Sequence, residues 1–76
     1  MILIKDNAGA VAASGVSLYA ISKQDNNVLA DTARHMLHDG IAAEGKNELD
    51  LSMGDYEALF ADMVKALGYH IEETDK

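Results

Sequence analysis

No cysteine, proline or tryptophan occurs in the 76 residues, and phenylalanine occurs once. Without cysteine there is no disulfide, no thiolate nucleophile and no cysteine-ligated zinc or iron–sulfur centre, a composition that suits a reducing compartment such as the cytoplasm. A chain this short buries only about two thirds of its unfolded surface. Its core is therefore expected to be thin, and dimerisation or a partner would add to its stability. Long hydrophobic runs are also missing. Met1 to Ile4 are apolar, but Lys5 and Asp6 follow at once, so the run is too short for a signal-peptide core or a membrane span and reads as a strand. No repeat or low-complexity tract marks a boundary, and residues 1–76 are read as one small domain.

Basic residues are scarce, six Lys and Arg against 13 Asp and Glu, for a net charge of -7. Up to His38, Asp6, Asp25 and Asp31 are matched by Lys5, Lys23 and Arg34. From Asp39 onward ten acids face three lysines, so the second half carries the whole net charge. Such a half repels nucleic-acid phosphates and steers basic surfaces towards it. A plain solubilising role for the acids is the competing explanation.

Apolar periodicity places one helix between Ser52 and Gly68. Tyr56, Leu59, Phe60, Met63, Val64 and Leu67 form one stripe of period 3.6. Ser52 is the expected N-cap, with Asp55 three residues on, and Gly68 the expected stop. A second helix is expected over 27–39, from the Val28, Leu29, Thr32, Ala33, Met36 and Leu37 pattern, started by Asp25, Asn26 or Asn27 and closed by Gly40. Alternation at Glu48 to Leu51 and at Tyr69 to Glu73 suggests two short strands. Between Asp6 and Lys23 two readings remain open. After a turn at Asp6 to Gly9, Val16 to Ile21 forms a strand in a hairpin with Ile2 to Lys5, or a helix runs from Ala10 to Ser22, favoured by the alanines. The fold expected is α+β, with two helices packed on a short, mainly antiparallel sheet.

Chemistry-bearing motifs are few. Asp31, His35 and His38 share a helical face at i, i+4 and i+7, with Asp39 beside them, but two imidazoles and a carboxylate without a fixed further ligand read as a solvated polar face. His70 sits on a candidate strand and adds nothing definite. The serines lack a nucleophile elbow, and the glycines form no phosphate-cradling loop. No catalytic residue, metal site or cofactor is therefore assigned, and the chain is read as a non-enzyme.

Asp50, Leu51, Ser52 and Met53 at a helix start resemble the Asp-Ser-Leu attachment site of acyl carrier proteins. In that family the modified serine follows the aspartate directly and lies near mid-chain, and the fold is all-helical. Here a leucine intervenes and strands are expected, so Ser52 reads as a helix cap and carrier function ranks low.

What remains is a small acidic protein-binding module. The leading expectation is an inhibitor or regulator that occupies a site on a larger protein or nucleoprotein complex, as phage and mobile-element antagonists of host machinery do, some by mimicking nucleic acid. The runner-up is a structural subunit or adaptor, with a metal-assisted enzyme at His35 and His38 behind it. The partner expected is a protein with a basic surface rather than nucleic acid or membrane, and a homodimer is open. The candidate contacts are Glu48, Asp50, Asp55, Glu57 and Asp62.

Overall fold

The computed structural model describes residues 1–74. Strands β1 (Ile2–Lys5) and β2 (Val11–Gly15) are followed by helices α1 (Leu18–Ser22) and α2 (Val28–Ala43), a 3-10 turn (Glu48–Asp50), helix α3 (Met53–Ala66) and strand β3 (His70–Glu73). The strands form one antiparallel sheet in the order β2-β1-β3, with the N-terminal strand in the centre. The α+β class holds, with one more helix than the sequence suggested.

The expected hairpin exists, but its second strand comes earlier. Asp6 makes the turn, its Oδ1 accepting the N–H groups of Ala8 and Ala10, both at 2.9 Å. The alanine-rich Val11–Gly15 then pairs with β1, because small side chains let the helices approach the sheet, and pairing overrides helix propensity. Ala13 lies opposite Ile4, and both are buried. The strand expected at Val16 to Ile21 is not there. Ser17 accepts the Ala20 N–H at 3.1 Å and starts α1, which buries Ile21 while Val16 stays exposed. The Ala10–Ser22 helix survives only in that last turn.

A second correction concerns Glu48 to Leu51, which is not a strand. Asn47 Oδ1 accepts the Leu49 N–H at 3.0 Å and the Asn47 carbonyl accepts the Asp50 N–H at 2.9 Å, so a local turn satisfies this backbone. Leu49, one of the two apolar residues in that alternation, is 89% exposed.

Helix α2 starts where expected, Asn27 accepting the Ala30 N–H at 2.9 Å, but passes through Gly40. Continuing for another turn buries Ile41 one turn beyond Leu37, on the face already formed by Leu29, Ala30 and Ala33. Helices α2 and α3 end alike, in a glycine of positive φ: Gly45 at +72° and Gly68 at +93°. In each, the next residue's N–H returns to a carbonyl five residues back, Lys46 to Ile41 at 3.0 Å and Tyr69 to Val64 at 3.2 Å. Ser52 caps α3 through the Asp55 N–H at 3.1 Å.

The helices cover one sheet face, and the core lies between, centred on Ile4, Ile21, Phe60 and Val64, all fully buried. Burial of each such side chain contributes about 1.5–3 kcal/mol. Lys5 and Glu72 lie on the other face, joined at 3.2 Å. No helix among the described residues is long and apolar enough to cross a membrane.

Candidate functional site

The five candidate acids separate into two groups. Glu48 and Glu57 lie among internal partners, whereas Asp50, Asp55 and Asp62 are exposed. Glu57, half-buried on α3, accepts the Tyr19 N–H at 3.0 Å and so caps the short helix α1. Glu48 is held by the Lys23 ammonium at 3.0 Å. That ammonium also stands 5.2 Å from the centre of the Tyr19 ring and 5.0 Å from that of Tyr56, and the two rings meet edge-to-face at 5.6 Å. The Lys23 hydrogen bond keeps Glu48 below its ordinary value of 4.5, and the same bond raises Lys23 above 10.5. His38 Nε2 approaches the other Glu48 oxygen to 3.2 Å, off the direction a hydrogen bond requires.

The histidine face expected on α2 does not converge. His35 Nδ1 donates to the Asp31 carbonyl at 2.8 Å, while His38 turns towards Glu48 and Asp31 pairs with Arg34 at 2.7 Å. His70 lies on β3, 3.1 Å from Glu72. Among the described residues no three such side chains are grouped to hold a metal.

Asp55 and Asp62 lie within about one turn of Leu59, which lines a feature that the sequence reading passed over. A cleft of about 180 Å³ runs between α2 and α3, lined by Met36, Leu37, Gly40, Ile41, Leu59 and Met63, with Glu44 at its rim. Met36, Leu59 and Met63 are half-buried there. Asp55 precedes Leu59 by four residues and Asp62 follows it by three, so both stand on its flank of α3. Asp39 has the same relation to Met36 on α2. All three aspartates are exposed. Gly40 leaves the floor open, since a β-carbon added there would meet nothing within 4 Å. The clue in the sequence was the edge of each apolar stripe: Met36, Leu59 and Met63 lie beside the buried rows and have carboxylates within one turn.

No family model, curated protein or solved structure matches this chain.

Proposed function

We propose that this protein is a binding module that receives a basic, amphipathic helical segment of a larger protein in the α2–α3 cleft, acting as an inhibitor or regulator by occupying that protein's surface. The reading rests on one juxtaposition: half-exposed Met36, Leu59 and Met63 line the cleft with Glu44 at its rim, and helical spacing sets the exposed Asp39, Asp55 and Asp62 within about one turn of them. Methionine and leucine adapt to the apolar side of an incoming helix, while the acids meet lysines and arginines along its margins. Nucleic acid, which carries the same sign of charge as this rim, would be repelled. Function by occupancy requires no catalytic group.

A synthetic helical peptide with a leucine stripe and flanking lysines tests the proposal. On titration, the methyl resonances of Met36, Leu59 and Met63 should shift together. Asp55→Lys with Asp62→Lys should weaken binding by about tenfold or more at low salt, chiefly through association rate. Shifts distributed elsewhere, or an affinity insensitive to the reversal, would reject the cleft.

A further inference from the structure

The two edges of the sheet are not equivalent. In an antiparallel ladder alternate residues direct their N–H and C=O groups to opposite sides. Met1 and Thr74 exchange both bonds at 2.9 Å, which with the register Leu3 to Glu72 and Lys5 to His70 turns residues 70, 72 and 74 towards β1. Ile71 and Glu73 therefore present their backbone groups outward. On β2 the outward groups belong to Ala12 and Ser14, and their carbonyls are occupied. Asn27 Nδ2 donates to the Ala12 carbonyl at 3.1 Å and Gln24 Nε2 to the Ser14 carbonyl at 2.6 Å. Among the described residues no side chain does the same for Ile71 or Glu73.

We propose that the β3 edge pairs antiparallel with the β3 edge of a second copy, joining two sheets into one across a two-fold axis at Ile71. This register makes Ile71 and its counterpart a hydrogen-bonded pair through their outward groups. It also sets His70 opposite Glu72 of the second copy, twice, on the sheet face that carries Lys5. Each junction then places Glu72 of one copy opposite His70 of the other, with that copy's Lys5 one strand further on the same face. Centring the axis on Glu72 instead would oppose two carboxylates, a destabilising pair. The complementarity of the Ile71 register selects a second copy of this chain over a strand from another protein, and two-fold pairing of like edges closes the assembly. An open edge is otherwise a site of uncontrolled association, and no proline, bulge or outward lysine on β3 blunts it.

Sedimentation equilibrium combined with residue-resolved hydrogen exchange tests the pairing. Expected are a mass of twice 8.2 kDa and slow exchange at the Ile71 and Glu73 amides. Ile71→Pro removes the outward donor and leaves the ladder to β1, at the cost of a half-buried side chain packed against the core, and where it folds it should be a monomer. His70→Glu, at an exposed position, should shift the equilibrium the same way should the proline variant fail to fold. Sedimentation at the single-chain mass, a dimer whose Ile71 and Glu73 amides exchange freely, or protection of them only when a foreign peptide is added would each overturn it. Peptide binding in the α2–α3 cleft, measured on the monomeric variant, is independent of this result.

Discussion

Glu57 on α3 accepts the backbone N–H of Tyr19 at the start of α1, at 3.0 Å and across 38 positions of sequence. A five-residue helix cannot persist alone, so α1 depends on Ser17, on its buried Ile21 and on this carboxylate. Glu57→Ala should cost about 1–2 kcal/mol, the scale of a lost helix cap, read as a lower urea midpoint at unchanged slope. Cleft binding should survive in the folded fraction, whereas Asp55→Lys and Asp62→Lys should reverse that pattern.

Gly15 should refuse a side chain. A β-carbon there would lie 2.8 Å from Ile21 Cγ1, and Ile21 is fully buried. Gly15→Ala is expected to destabilise by about 1–3 kcal/mol through overpacking. An unchanged thermal midpoint would mean that Ile21 moves aside.

Phe60 and Tyr56, one turn apart on α3, should respond in opposite ways. Phe60 is fully buried, and Phe60→Ala should cost about 3–5 kcal/mol, a large part of the stability of so small a domain. The Tyr56 hydroxyl is buried without a hydrogen-bond partner among the described residues, so Tyr56→Phe should leave stability unchanged or raise it by up to about 1 kcal/mol. Thermal unfolding of the two variants would show the contrast.

The Lys23–Glu48 pair predicts a definite pH dependence. Glu48 is depressed in the folded state, so its contribution is present above the ordinary 4.5 and disappears as pH falls through the lower folded value. Lys23 is raised, so its contribution is present below 10.5 and disappears as pH climbs through the higher folded value. Both side chains are more than a third exposed or close to it, which limits the pair to about 1 kcal/mol or less, reduced further by salt. Wild type and Lys23→Met should therefore differ between these limits and converge in acid. A difference that persists in acid would assign the effect to the tyrosine rings.

Elements whose signals are local were legible in the sequence. Asn27 and Ser52 start helices because their side chains accept N–H groups three residues on, and Gly68 ends one because positive φ suits glycine. The stripe Tyr56, Phe60 and Val64 is the buried face it resembled. Asp6 and Gly9 make a turn from their own chemistry.

Tertiary structure decided whatever depended on distant contacts. Ala12 and Ala13 belong to a strand because β1 is alongside them, and Gly40 stays helical because Ile41 has a core to enter. Glu48 to Asp50 alternates like a strand but turns, because Asn47 satisfies its backbone locally. Among the candidate acids, net charge made Glu57 and Asp62 look alike. Only folding set Glu57 beneath Tyr19 and left Asp62 exposed, three residues on from the cleft residue Leu59, since composition determines how much charge a chain carries and packing determines which charges remain free to meet another molecule.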